Sequence, residues 1–176
     1  IRYNQVVKHI DYSGDKVIVE TETEQYTADR INLTIPLKIL QVGDVRFTPD
    51  LPKKKQKAID EATVWDGFKA FIEFSENFYP TFVGFDIVPE ESGQKLYYDA
   101  AYGQDTDRHI LGLFAVGTGA QEYASFSDSE LKNYMLAELD ALFDIQASPN
   151  YIKHISQNWN EEPFANGAYV YDSESW

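Results

Sequence analysis

The sequence contains no cysteine among its 176 residues. Disulfide bonds, thiolate metal sites and a cysteine nucleophile are therefore excluded. Histidine is also scarce, because His9, His109 and His154 are the only three and their spacing does not match a metal-binding pattern such as H-x-x-x-H. A zinc site is consequently not expected.

Long hydrophobic runs are missing as well. No stretch approaches the roughly 18 apolar residues of a membrane-spanning helix, and the N-terminus lacks the charged and then apolar pattern of a secretion signal. We therefore expect no membrane segment and a cytoplasmic location. The first residue is Ile1, and a strand pattern follows almost at once, which indicates an internal boundary of a longer protein, although a processed N-terminus would give the same start.

Positive charge is in short supply. Fifteen lysine and arginine residues face 29 acidic residues, which gives a formal net charge of −14. Such a surface repels phosphate backbones and anionic lipid head groups, so we expect neither nucleic acid nor membranes as partners. The acidic side chains suit either a solvated surface or a cationic ligand.

The residues that are present, 43% hydrophobic and 15% aromatic, are ample for the core of one ordinary domain. Short β-favouring runs separated by polar turns occupy residues 6–33 and predict a three-stranded meander. Pro36 ends strand pairing and can begin a short helical turn through Leu40. Pro52 suits the start of a short amphipathic helix within residues 53–63.

The rest of the chain alternates strand patterns with one clear helix. Ser127 and Glu130 form a capping-box pattern, and apolar residues then recur at spacings of three and four up to Phe143, which predicts a helix. Strands are predicted at residues 67–74, 81–87, 95–102, 109–117 and 150–159. The predicted class is α+β, with a mixed, largely antiparallel sheet that carries helices on one face and follows the meander.

Common catalytic motifs are absent or incomplete. The run from Gly117 to Glu122 resembles the start of a dinucleotide fingerprint, but Glu122 stands at the third glycine, where its charge would oppose a pyrophosphate. No Walker loop, G-x-S-x-G elbow or H-E-x-x-H motif occurs. Paired carboxylates for glycoside hydrolysis stay open, because sequence spacing does not determine the separation of two side chains.

Two features stand out from this background. Lys69 is a lone ammonium in the apolar strand pattern GFKAFIEF, where we expect it to be buried and able to hold a water or assist proton transfer. A lysine at a sheet edge that extends its charge to solvent would give the same pattern. The second feature is the aromatic- and glycine-bearing segment from Trp159 to Tyr169, which by itself is a loop that packs rings.

In this order and spacing the chain resembles the flavin-containing amine oxidases, the monoamine and polyamine oxidase group. The matching segments are residues 6–40, FTPDLPKKKQKAI at 47–59, GFKAFIEFSENFYP at 67–80 and NWNEEPFANGAY at 158–169. One departure is Phe78-Tyr79-Pro80, where many members have Phe-Trp, so the resemblance leaves the pocket shape and the substrate class open.

The resemblance implies a role for four residues. Lys69 matches the catalytic lysine that contacts flavin N5 through a water, and Trp159 matches the tryptophan beside the isoalloxazine ring. Tyr169 matches one wall of the aromatic cage that receives the substrate. Val7 matches a position that touches the adenine side of FAD through its backbone.

The resemblance also implies a domain organisation. Residues 1–35 would belong to an incomplete FAD-binding domain, residues 36–158 to a substrate-binding domain, and residues 159–176 to a segment that returns toward the FAD domain. FAD would be held in the parent protein by N- and C-terminal segments that this chain lacks, so we expect the fragment alone neither to bind FAD nor to be active.

The implied reaction of the parent is oxidation of a small-molecule amine to an imine, with dioxygen as acceptor and release of hydrogen peroxide. Two alternatives remain. One is a related flavoprotein, such as a desaturase or a protoporphyrinogen oxidase relative. The other is a small binding module for carbohydrate or polyamine that uses aromatic and acidic residues without catalysis.

Overall fold

The β-favouring runs at the start of the chain form one sheet in the computed structural model, which describes residues 1–85 and 93–171. Its strands are β1 (Val7–Asp11), β2 (Val17–Thr21), β3 (Gln25–Ala28) and β4 (Arg46–Thr48). The first three are joined in antiparallel order, which confirms the predicted meander. The fourth, which was not predicted, pairs in parallel with β1 and extends the sheet to the order β3-β2-β1-β4.

Two short helices follow prolines in the same part of the chain. Helix α1 (Leu37–Gln41) starts after Pro36 and α2 (Lys53–Glu61) after Pro52, as the sequence predicts. The side-chain amide of Gln41 donates to the carbonyl oxygens of Ile59 at 2.8 Å and Ala62 at 2.6 Å, which connects α1 to the end of α2. A small core forms where Ile39 of α1 packs with Ile10 of β1 and with Val45.

A second, five-stranded sheet contains the longest strands. They are β6 (Gly67–Phe74), β7 (Phe82–Gly84), β8 (Gly93–Asp99), β9 (His109–Gly117) and β10 (Tyr151–Asn158). The order is β10-β6-β9-β8-β7, and every pairing is antiparallel. Residues 86–92, which include the end of the strand predicted at residues 81–87, lie outside the described residues.

Three helices cover one face of this sheet. They are α3 (Thr118–Ala124), α4 (Asp128–Leu142) and α5 (Ala147–Asn150), of which only α4 was predicted. The capping box at the start of α4 is present, with Ser127 accepting from the Glu130 amide and Glu130 accepting from the Ser127 amide. Leu131, Met135 and Leu139 then pack on the sheet. The predicted α+β class with helices on one face is confirmed.

The alternation of β6 separates the two faces of this sheet. Phe68, Ala70, Ile72 and Phe74 are buried against the helices. Each large apolar side chain buried in this way contributes roughly 1.5–3 kcal/mol. The other side chains of the strand point away from the helices and are half-buried.

The described chain divides into two compact units. The first comprises residues 1–64 and 164–166 with Val170 and Tyr171, and it includes a two-stranded pairing of β5 (Thr63–Val64) with β11 (Val170–Tyr171). No strand was predicted after residue 159, so the sequence analysis missed β11, while residues 172–176 lie outside the described residues. The second unit comprises residues 65–163 and 167–169. The predicted functional boundaries at 35/36 and 158/159 concern the parent protein and stay predictions.

None of the helices in the described parts of the chain has the length and apolar character needed to cross a membrane.

Candidate functional site

Strand β6 places Lys69 on the sheet face opposite the helices. Its Nζ donates to the hydroxyl of Tyr98 at 3.2 Å. The same nitrogen lies 5.2 Å from the ring centre of Tyr98 and 5.4 Å from that of Phe114, within the range of cation–π attraction. Phe114 is also the cross-strand neighbour of Lys69 on β9.

The environment of Lys69 differs from the prediction in one respect. The side chain is half-buried rather than buried, because the apolar face of β6 packs on the helices and Lys69 belongs to the other face. Strand β6 is not at the edge of the sheet, since β10 and β9 flank it. A lysine that reaches solvent from an edge strand therefore does not describe this residue.

The start of the segment from Trp159 to Tyr169 is tied to the start of β6 by a backbone hydrogen bond. The backbone amide of Trp159 donates to the carbonyl oxygen of Gly67 at 2.9 Å. The backbone amide of Gly167 donates to the carbonyl oxygen of Trp159, also at 2.9 Å. The backbone amide of Ala168 donates to the carbonyl oxygen of Trp65 at 3.0 Å, and the backbone amide of Trp65 donates to the carbonyl oxygen of Tyr169 at 3.1 Å. These bonds hold both ends of the segment beside Lys69.

Tyr169 has an unusual backbone conformation. Its φ is +61°, in the left-handed region that residues with a Cβ seldom adopt and that costs on the order of 1 kcal/mol. The conformation puts its ring 5.6 Å from the ring of Phe114, while 60% of the residue is exposed. A strained backbone that leaves a large ring open to solvent is typical of a ligand-contacting position.

Three of the predicted site residues meet at one cavity. Lys69, Trp159 and Tyr169 line a cavity of about 110 Å³, together with Phe114. Trp159, which is 37% exposed, is accessible to solvent beside this cavity. The cavity is too small to enclose an isoalloxazine ring, but an ammonium donor and two open aromatic rings fit contact with one edge or face of such a ring.

The fourth predicted residue, Val7, lies in the first unit at the start of β1. The pairing of β1 with β2 is irregular between Val7 and His9, and β4 pairs with β1 only from His9 to Asp11. On its β4 side, the backbone of Val7 therefore has no strand partner within the described residues. Backbone N–H and C=O groups without a strand partner can contact an adenine.

Sequence reasoning missed Tyr98 and Phe114. Both are aromatic residues in correctly predicted strands, but their nearness to Lys69 depends on the pairing of β8 and β9 with β6. The strand pattern does not specify that register. The alternation of β9 could have placed Phe114 on the same face as Lys69 only if the two strands were already known to be neighbours.

A family model described as flavin containing amine oxidoreductase matches residues 1–176. The chain belongs to this family. Members similar in sequence include the mouse lysine-specific histone demethylase 1B, which is 28% identical over 97% of this chain and 21% of its own length. A probable polyamine oxidase 4 of Arabidopsis thaliana is 28% identical over 98% of this chain and 34% of its own length.

Solved structures share the fold. A redesigned triple variant of putrescine oxidase has a TM-score of 0.76 at 19% identity and covers 94% of this chain. Cyclohexylamine oxidase from Brevibacterium oxydans has a TM-score of 0.72 at 17% identity and covers 92%. The chain covers only 36% and 35% of the length of these two solved chains. It likewise covers about a fifth of the mouse demethylase and about a third of the Arabidopsis oxidase.

Proposed function

We propose that the parent protein is an FAD-dependent oxidase that converts an amine to an imine with dioxygen as acceptor. The observation that supports this most directly is the meeting of Lys69, Trp159 and Tyr169 at one cavity in a chain of the flavin-containing amine oxidoreductase family. The chemistry that a bound flavin supplies is removal of a hydride from the carbon beside the amine and transfer of the electrons to dioxygen, which yields hydrogen peroxide.

Lys69 would hold a water at the flavin edge. An ammonium group has three N–H donors, and within the described residues the Lys69 ammonium gives one of them to Tyr98. The other two can bind a water and hold it in place. A water oriented in this way can move a proton to or from the reacting groups.

Trp159 and Tyr169 would bind the cofactor and the substrate. The ring of Trp159 offers a flat apolar surface beside an isoalloxazine, and the ring of Tyr169 offers its negative face to an amine. The two rings also exclude water from the reacting carbon and orient the amine that carries it. The imine that forms is hydrolysed by water to a carbonyl compound.

The remaining contacts to FAD would come from Val7 through its backbone and from other segments of the parent protein. Because those segments carry the greater part of the cofactor site, we expect this chain alone to lack activity and to bind no FAD. A cytoplasmic location and the absence of nucleic-acid and membrane partners are part of the same proposal.

The charge distribution supports a cationic substrate. Residues 1–64 contain ten basic and ten acidic side chains, whereas residues 65–176 contain five basic and nineteen acidic ones. The whole net charge of −14 therefore belongs to the part of the chain that contains Lys69, Trp159 and Tyr169. A negative field of this kind raises the local concentration of protonated amines.

The test uses the full-length parent protein. We expect it to purify with the visible absorption band of a flavin and to release peroxide, measured with a coupled peroxidase, when one of a monoamine, a diamine or a polyamine is added. A colourless protein that gains no absorption band with added FAD would refute the proposal.

A further inference from the structure

We propose that Tyr98 is the positioning residue of Lys69, an inference that rests on the function proposed for that lysine. The Lys69 ammonium donates to the Tyr98 hydroxyl at 3.2 Å and lies 5.2 Å from the centre of the same ring. One tyrosine therefore provides an acceptor oxygen and holds its ring close to the same ammonium. This contact restricts a side chain that is otherwise long and flexible.

Tyr98 is itself held by its neighbours on the sheet. Gly112 is its cross-strand partner, and a Cβ built on Gly112 would lie 2.5 Å from the Tyr98 Cζ. The end of the ring that bears the hydroxyl therefore rests directly on the glycine backbone. Phe71 meets the ring edge to face at 84° with 6.5 Å between centres. The glycine is needed because any side chain at position 112 would displace the tyrosine.

The partner of Lys69 is uncharged, and this matters for its role. Among the described residues no carboxylate lies within ion-pair distance of Lys69, and the other charged side chain on its face of β6, Glu73, pairs instead with Lys153 at 3.2 Å. A carboxylate would neutralise the ammonium and occupy several of its donors. A phenol fixes the position of Nζ and leaves its charge and two N–H groups for a water.

The inference can be tested on this chain without a flavin. We would acetylate the protein with a trace of acetic anhydride at fixed pH and compare Lys69 with exposed Lys54 in the same sample by peptide mass spectrometry. In Y98F the ring stays but the acceptor is lost, so the ammonium is held less firmly, and we expect the Lys69-to-Lys54 ratio to rise about fivefold, as for loss of one charged hydrogen bond at a half-exposed site.

Two further variants complete the test. G112A should displace the Tyr98 ring and, like Y98F, raise the Lys69-to-Lys54 acetylation ratio. Y102F removes the hydroxyl of the exposed Tyr102 and should leave the ratio unchanged. Equal ratios in wild type, Y98F and G112A, with circular dichroism showing that all are folded, would overturn the inference.

A second readout uses the flavin-loaded parent protein. There Y98F should lower kcat several-fold with little change in KM or in flavin content, because the residue acts through Lys69 and not on the substrate. A change in KM with kcat unaltered would contradict a positioning role. If the parent holds no flavin, the proposed function fails, and the acetylation result still decides whether Tyr98 holds Lys69.

Discussion

Gly67 and Ala168 lie so close together that a Cβ built on Gly67 would be 2.2 Å from the Cβ of Ala168. The same Cβ would lie 3.3 Å from the Ala168 Cα. Ala168 is held in place by donating its amide to the carbonyl oxygen of Trp65 at 3.0 Å. Glycine at position 67 therefore allows the end of the 159–169 segment to lie against β6, two residues before Lys69.

The substitution G67A should disturb this contact. We expect the free energy of unfolding, measured by urea titration followed by circular dichroism, to fall by about 1–3 kcal/mol, as for other overpacked sites. The double variant G67A/A168G removes the opposing Cβ and should recover most of the loss. G14A is the matched control, because a Cβ at Gly14 meets nothing nearer than 4.0 Å. Equal stabilities of G67A and the double variant would contradict the packing argument.

A second prediction concerns Glu138 on α4, which is the acceptor for one tyrosine on β8 and one on α3. Tyr97 and Tyr123 donate their hydroxyls to its Oε2 at 2.7 and 2.8 Å, and Lys95 forms an ion pair with its other oxygen. E138L leaves these three donors without their acceptor. We expect it to lower the free energy of unfolding by about 3 kcal/mol. E76L, at an exposed glutamate, is the control and should change it by less than about 0.5 kcal/mol.

The same tyrosines predict how stability changes at alkaline pH. Burial, together with the neighbouring Glu138, raises the pKa of both Tyr97 and Tyr123 well above the ordinary value. In the unfolded chain each ionises near its usual pKa of about 10, so above that pH the unfolded state binds fewer protons than the folded state. The stabilisation is therefore complete below about pH 10 and is lost progressively as the pH rises further.

Urea unfolding between pH 8 and pH 11.5 measures this effect. The wild-type midpoint should fall above about pH 10. Y97F should fall less steeply because one of the phenols whose pKa is raised by burial is gone. A slope that is identical in wild type and Y97F would show that the loss has another origin.

A fourth prediction concerns Lys69 in the parent protein. K69M keeps the length of the side chain but removes the ammonium, so no water can be bound by it, and we expect kcat to fall by on the order of 10²-fold. Flavin content should stay the same, because in the proposed site Lys69 would reach the flavin only through a water. K153M, which removes a lysine of the neighbouring strand that pairs with Glu73, is the control. An equal loss in both variants would indicate a structural effect.

Local patterns in the sequence were sufficient for the elements whose signal lies within the element. The alternation of residues 67–74 predicted β6 with its observed bounds, and Ser127 and Glu130 marked the start of α4. The family resemblance singled out Lys69, Trp159 and Tyr169 by motif. In each case neighbouring residues, or a motif carried by them, contain the information.

Short elements were missed because their stability comes from distant contacts. Helix α3 has seven residues, too few to be stable alone, and it forms where Ala120 and Tyr123 are buried against the sheet. Strand β4 has three residues and pairs with β1 more than thirty residues earlier in the chain. Nothing in these short runs distinguishes them from loops.

The sequence by itself determined which side chains are available for the site and which strands and helices carry them. Only the tertiary structure decided that β9 lies beside β6 with Phe114 opposite Lys69, that Tyr98 rests on Gly112, and that the two ends of the 159–169 segment are tied beside β6. The physical reason is that strand register and chain reversal depend on pairings between residues far apart in sequence. A local pattern with a period of two residues states which side chains share a face, but it does not state which strand that face will meet.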